Sequence, residues 1–500
     1  MEYVIGCDVG SQGTKAILLS TTGDYVGEAY EGYSIDYPHP LWAEQPVERW
    51  LTALTAAIRR LLSESGVRAQ NVRALSLATQ VDGVIPIDSA GKALHPAIIW
   101  MDRRASAQCE RVRQDLDDEQ IFQLTGLNLD ASHVAPKIRW LADQQPEIYA
   151  RTAHFLLPGS YMAYALTGEL GVDYSNASST MLLDVHTKTW SAKMCDAFGI
   201  DLNRLAPLGA ATATLGKLRP DVAQSLGLSL ETLVMIGCGD EHAACLGAGV
   251  TGAGIVGDIA GTAEPVCAAS PVAAFDPTRL VETHCHADPD LWLLENPGFV
   301  SGGNYRWFRD QFAKGDNYAS LDSEAARIPP GAEALTFLPS LMGAMAPTWN
   351  ESARGIYSGF TLAHTRGHFV RALLEGSAYA VRDITTQMQI AGIELRELRV
   401  VSGGAKSRLW NQIKADVTGL PVKVPEITET TALGAAFLAL VGIGAYASLS
   451  EASEHIVKIR ESLDPNPAAQ SIYTEAYERY RQTYFATLPV FEASAKRTAS

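Results

Sequence analysis

The sequence has few cysteines, and no two of them form a CxxC pair. The seven thiols, Cys7, Cys109, Cys195, Cys238, Cys245, Cys267 and Cys285, are scattered and odd in number. A disulfide framework is therefore excluded as an organising device, and reduced thiols in a cytoplasm are expected. A basic excess is missing too. Forty Lys and Arg stand against 56 Asp and Glu, for a net charge of −16. A chain of that sign is a poor general binder of nucleic acid or anionic membranes, so neither is expected as a partner. Cationic help for a phosphate substrate must then be local. Long apolar runs are also lacking. The most apolar stretch, Ala432 to Ala445, carries Gly434, Gly442 and Gly444 and is short for a membrane span. The opening Met1-Glu-Tyr-Val-Ile-Gly6 lacks the basic-then-apolar pattern of a signal peptide.

What is present is ample core. The 500 residues are 47% apolar and 19% charged, which is ordinary for a packed protein of two or three domains. The start alternates short strand-like runs with glycine turns: Tyr3 to Cys7, a turn from Asp8 to Lys15, Ala16 to Ser20, a second turn at Thr21 to Asp24, then Tyr25 to Tyr33. A helix is predicted from Pro46 to Ser63, with Trp50, Leu51, Leu54, Ile58 and Leu61 at helical spacing, followed by a strand from Val72 to Ala78. A Rossmann opening would instead run its glycine loop from strand into helix. A similar hairpin recurs half a chain later. Gly254 to Ala260 reads as a strand, Gly261-Thr262 as a turn and Ala263 to Ala268 as its return, which points to a duplicated architecture. The Gly-rich Gly247 to Gly254 reads as a hinge or connector between the two. Ala493 to Ser500 reads as a loose tail.

Three places carry chemistry. Asp8-Val-Gly-Ser-Gln-Gly-Thr-Lys15 combines two glycines that admit a phosphate with the donors of Ser11, Thr14 and Lys15. Asp8 suits a magnesium ion held through water; a plain hairpin with a solvated Lys15 fits the same residues. Gly237-Cys-Gly-Asp240-Glu241-His242 follows the apolar run Leu233 to Ile236. An aspartate at a strand end there is placed to accept a proton from an attacking hydroxyl, or to cap the Ala-rich run His242 to Gly249. Leu398 to Ser402, Gly403-Gly-Ala405 and a helix from Ser407 to Thr418 form a strand–turn–helix unit whose free N–H groups favour a phosphate. His284-Cys-His286 sets two histidines on one face of a strand. No further ligand cluster stands nearby in the sequence, so a metal site is not assigned. Trp42, Trp100, Trp292 and Trp307 read as core or cleft walls and, as a set, favour a sugar.

These pieces, taken in order, resemble the FGGY family of carbohydrate kinases, its xylulose-phosphorylating members most of all. The resemblance runs from about Tyr3 to about Gly442. It rests on Asp8 to Lys15, His39 to Gln45, Trp100-Met-Asp102, Asp173 to Asp184, Gly239-Asp240, Gly261-Thr262, Leu374-Glu-Gly376 and Ser402-Gly-Gly-Ala405. It implies an α/β fold of two actin-like, ribonuclease-H-like ATPase domains, with the active site in the cleft between them. Residues 1–249 would form the sugar side, 250–490 the nucleotide side, and 491–500 the tail. It implies ATP and Mg2+, with Asp240 as catalytic base and Asp8 as the magnesium-associated aspartate. Ser11, Thr14, Lys15, Gly261, Thr262, Gly302, Gly404 and Ala405 would meet the nucleotide. Gln80, Val81, Asp82, Asp102, Asp240 and Glu241 would meet the sugar.

The chain departs from the xylulose pattern in four places. Asp82 stands where a histidine is usual, and Glu241 where an asparagine is. The second phosphate loop runs Thr262-Ala-Glu264, and an uncharged Gly343-Ala-Met-Ala-Pro347 replaces a charged segment. The expected substrate is a small sugar or polyol, D-xylulose first, with ribulose, erythritol or glycerol-like acceptors as alternatives. A sugar- or nucleotide-binding regulator without turnover is the non-enzymatic alternative, and a homodimer is left open.

Overall fold

A computed structural model describes residues 1–498, with side chains through Ala493. Two mixed sheets of seven strands each organise it. In the first, Tyr3–Val9 lies between an antiparallel neighbour, Gly13–Ser20, and a parallel one, Val72–Thr79. The order continues outward to Tyr25–Gly32 on one side. On the other side come Leu233–Met235, parallel, and Thr214–Lys217, antiparallel. The second sheet repeats the scheme. Ile255–Ile259 pairs antiparallel with Ala263–Ser270 and parallel with Glu397–Val401. Val422–Pro425 and Ile459–Leu463 then extend it as parallel and antiparallel neighbours. The duplication read from two glycine hairpins thus extends to the strand order of both halves.

The predicted elements form with shifted ends. The first hairpin is tighter than expected: its strands run on to Val9 and from Gly13, and Gly10 N donates to Gly13 O at 3.1 Å. Asp8, Thr14 and Lys15 are therefore strand residues in register, Asp8 opposite Lys15. The helix expected from Pro46 spans Val47–Ser65 and ends on a left-handed Gly66. The helix expected from Ser407 spans Arg408–Thr418, with the Ser407 side chain accepting from Trp410 N.

Two expectations are corrected. The Gly-rich stretch is only partly a connector. Gly247 and Ala248 belong to a helix, Asp240–Ala248, which stops at a left-handed Gly249. The expected tail from 491 is instead the end of a helix spanning Pro467–Thr498; Ala499 and Ser500 lie outside the described residues. Tyr473, Tyr477, Tyr480, Tyr484 and Phe491 recur along one face of that helix and are buried in the second half's core, which holds the segment down.

The halves are joined by interleaving. The apolar helix Thr430–Gly442 comes from the second half, yet its Ala432, Leu433, Ala435, Ala436 and Phe437 are buried with Val4, Ile17, Leu19, Ala74 and Ala78 of the first sheet. It crosses the helix Asp240–Ala248 backbone against backbone. A Cβ built on Gly434 would lie 1.9 Å from Ala243 O, and one on Gly247 would lie 2.0 Å from Thr430 O. Among the described residues no helix is long and apolar enough to cross a membrane; the apolar run 432–445 is this buried crossing helix and its end. Gly434→Ala is expected to force the two helices apart and to cost about 1–3 kcal/mol, the usual penalty of overpacking. Urea denaturation of both proteins checks it, and an unchanged midpoint would mean the crossing is loose.

Candidate active site

The first sheet delivers its acids to one end. Asp8 sits near the end of Tyr3–Val9 and Asp240 opens the helix Asp240–Ala248. Both are half-buried. Gly239, not Asp240, takes the cap position; the Asp240 Oδ1 accepts from Glu241 N at 2.9 Å. Burial pushes the Asp240 carboxyl well above its ordinary range, and the charges of Glu241 and Asp8 add to the rise. Burial also lifts Asp8, to about 7, against the pull of Lys15 and with help from Glu429. Lys15 donates to Glu429 Oε2 at 3.0 Å, and Glu429 stands directly before the crossing helix Thr430–Gly442.

The sugar-side residues expected from the sequence gather beside these acids. Ser11 Oγ accepts from Trp100 Nε1 at 2.8 Å and donates to Gln80 Oε1 at 3.4 Å. Gln80 Nε2 in turn donates to Gln45 Oε1 at 2.9 Å, and Gln45 Nε2 to Ser11 O at 2.8 Å. Val81 lies against Gly239, where an added Cβ would meet its Cγ1 at 2.7 Å. Asp82 adopts a left-handed φ of 56°. Its Oδ1 pairs with His133 Nδ1 at 3.2 Å. Burial pulls His133 down, but the Asp82 carboxylate outweighs it and raises the imidazole to about 9. Lys137, fully buried, donates to the Asp82 carbonyl at 2.6 Å, to Ile99 O at 2.9 Å and to Ser132 O.

The residues expected on the nucleotide side converge at the matching end of the second sheet. Gly404 N donates to Ala260 O at 2.8 Å, and Gly303 N to Thr262 O at 3.0 Å. A Cβ on Gly302 would lie 2.2 Å from Gly261 O, so only glycine permits that approach. Ala405 is buried behind the turn. Three separate backbone turns thus meet at the tips of Ile255–Ile259 and Glu397–Val401, where ligands collect in open α/β sheets.

A family model described as FGGY family of carbohydrate kinases, N-terminal domain, matches residues 3–247, and its C-terminal counterpart matches 259–443. The chain belongs to the FGGY family of carbohydrate kinases. It is 30% identical to the xylulose kinase of Bacillus subtilis (strain 168) over 97% of each chain. It is 31% identical to that of Escherichia coli (strain K12), over 97% of this chain and 99% of the relative. The crystal structure of xylulose kinase from Rhodospirillum rubrum superposes with a TM-score of 0.92 at 28% identity, covering 98% of this chain and all of that one. The FGGY kinases are phosphotransferases that use ATP and a hydroxyl acceptor, and this chain is one of them.

One expected site residue of this FGGY kinase, Asp102, and two of its departures from the family pattern have structural duties. Asp102 is fully buried and its carboxylate is occupied. Ala43 N donates to Oδ2 at 2.6 Å, and Arg104 reaches both oxygens while its guanidinium lies 3.8 Å over the Trp42 ring. Asp102 therefore braces the wall behind Trp100 and offers no free oxygen to a sugar. Glu264 is fully buried away from the loop tip and shares Lys414 with Asp258. Met345 and Ala346 of the uncharged segment pack into the second half's core, and Met345 O accepts from Asn296 Nδ2. Of the four tryptophans, Trp100 reaches the site; Trp42 packs under Arg104, Trp292 donates to Val185 O across the halves, and Trp307 is exposed beside Phe312. Sequence reading missed His133 and Lys137. They arrive from the segment His133–Gln144, about fifty residues past Asp82, and carry no motif of their own.

Asp8 binds its proton more tightly in the folded chain than in the unfolded one. Its contribution to stability is present at pH below about 4 and is lost as pH rises toward about 7. Asp8→Asn should therefore melt higher than the parent at pH 8, with the gap shrinking as the pH falls toward 4. Melting temperatures across that range check it; a gap independent of pH would mean that Asp8 pays no burial penalty.

Proposed function

We propose that this FGGY kinase moves the γ-phosphate of ATP to a hydroxyl of D-xylulose, with Asp240 as general base, in the cytoplasm. The observation that carries the reading is the pair of half-buried acids, Asp8 and Asp240, at the end of the first sheet beside Gln80–Asp82. The turns at Gly261-Thr262, Gly302 and Gly404-Ala405 supply the nucleotide side. Seven buried free thiols fit a reducing compartment, and the named activities of the relatives favour xylulose.

The sugar lies against Gln80, Val81, Asp82 and Glu241. Its attacking oxygen gives its proton to Asp240 as the bond to the γ-phosphorus forms and the bond to the ADP oxygen breaks. A carboxylate with a raised pKa is a better base near neutral pH than an ordinary one. Lys15 exchanges Glu429 for phosphate oxygens, and Ser11, Thr14 and the turn amides donate to the transferring group. Magnesium fits beside Asp8: its carboxylate has no hydrogen bond or ion pair among the described residues, and Oδ1 lies 3.6 Å from where a Cβ on Gly10 would stand. That ion, brought with ATP, would neutralise phosphate charge.

The Asp82–His133 pair and the Glu241 carboxylate favour a second reading, in which another ketose or a polyol is the better acceptor. ADP release measured with D-xylulose, D-ribulose, erythritol and glycerol separates the two. D-xylulose is expected to give the highest kcat/KM, rising with pH as Asp240 loses its proton. Asp240→Asn is expected to lower kcat by about 10²–10⁴-fold with little change in the KM for ATP. Full activity in that variant would remove Asp240 as base; a faster polyol would move the acceptor; silence with every sugar would favour a binding regulator.

A further inference from the structure

One polar cluster lies behind the site, where Glu295 meets the side chain of Glu241, and is given no step in that chemistry. His242 lies on the helix Asp240–Ala248, two residues past the base. His284 and Glu295 lie on the paired strands Glu282–Cys285 and Trp292–Val300 of the second sheet. One donor atom of each comes within 4.8 Å of the other two. His284 Nε2 stands 3.9 Å from Glu295 Oε2, and the two imidazole rings meet edge-on with centroids 5.8 Å apart. The three residues are 1%, 6% and 3% exposed. Even so, both ring nitrogens of His242, Nδ1 of His284 and Oε2 of Glu295 have no hydrogen bond. Buried polar atoms are nearly always partnered, because an orphan keeps its desolvation cost uncompensated. Each of the three converging side chains therefore has at least one buried polar atom in need of a partner.

We propose that His242, His284 and Glu295 bind a divalent transition-metal ion, with zinc the best match. Two imidazole nitrogens and a carboxylate oxygen suit zinc, whereas magnesium prefers oxygen donors and octahedral geometry. Bonds of about 2.0–2.2 Å set tetrahedral donors about 3.3 Å apart, so binding draws the three side chains inward from their present spacing. Glu282 stands beside the site. Its Oε1 accepts from Asn128 N at 2.7 Å and Nδ2 at 3.1 Å, leaving Oε2 3.9 Å from His284 Nε2; with His284 ligating through its unpartnered Nδ1, that Nε2–H would turn to Glu282 and fix the ring. His286 takes no part: its Nε2 faces Val250 O at 3.1 Å and its Nδ1 accepts from Asp288 N. His242 comes from the first half and the other two ligands from the second. The ion therefore pins the helix that starts at Asp240 to the opposite sheet. It is separate from the magnesium at Asp8, and its binding can be read without any turnover.

The full chain would be stripped with a chelator, then titrated with Co2+ and with Zn2+. The expected results are one cobalt per chain with the visible bands of a nitrogen-ligated ion, loss of those bands on adding zinc, and a higher melting temperature with zinc. Glu282→Gln keeps the ligands and should weaken zinc binding about 10–100-fold; His284→Asn should abolish the cobalt bands. His455→Ala, which removes an exposed histidine elsewhere, should change neither. The parent chain's failure to bind cobalt or gain stability with zinc would overturn the site, whatever the variants do. Undiminished cobalt bands in His284→Asn would overturn it as well.

Discussion

Two helices crossing at the distance of bare backbone set the geometry of this kinase. Asp240–Ala248 and Thr430–Gly442 touch through Gly247 and Gly434, and Gly6 of the first strand accepts the second helix just as closely, its would-be Cβ 2.2 Å from Ala432 O. Glycine inside a helix costs about 0.5–1 kcal/mol relative to alanine. Here that cost is offset by an approach no side chain allows. Because the crossing is so tight, the start of each helix has little freedom. One start carries Asp240; just before the other stands Glu429, the partner of Lys15. Asp240 and the partner of Lys15 are thus fixed by one contact that belongs to neither.

The crossing also couples the halves. Thr430–Gly442 follows the last parallel strand of the second sheet, Val422–Pro425, yet its apolar face lies in the first half's core. The hairpin Glu282–Cys285 and Trp292–Val300 reaches back in the other direction. Thr283 N donates to Gly126 O, Cys285 N to Ser178 Oγ, and Trp292 Nε1 to Val185 O. Ser178 belongs to the short helix Tyr174–Ser178, whose Ser175 Oγ accepts from Gly239 N. A chain of hydrogen bonds therefore runs from the second sheet to the residue before Asp240. The candidate metal cluster lies in the same region and would add a stiffer link there.

Charge is used sparingly and locally. The chain is acidic overall, and its site is acidic as well, with Asp8, Asp82, Asp240 and Glu241 close together. Burial first, then neighbouring acids, raises the carboxyls without a salt bridge among the described residues: Glu429 acts on Asp8, and Glu241 and Asp8 act on Asp240. Those with cationic partners are otherwise occupied: Asp82 with His133, Asp102 with Arg104, and Glu264 with Lys414.

The sequence by itself determined the fold class, the duplication, the glycine hairpins and the family, because these depend on local turn chemistry and on strand periodicity along the chain. It also located Asp8, Asp240 and the glycine turns, each next to a strand end it could predict. It missed the tyrosine-faced helix Pro467–Thr498 and read Asp102 as a site residue, since burial and partnering are not written in local pattern. Only the tertiary structure brought His133 and Lys137 to Asp82, or His242 to His284 and Glu295. Those groupings join residues 42 to 55 positions apart through long-range packing, and no spacing rule along a chain encodes which distant side chains will share one buried space.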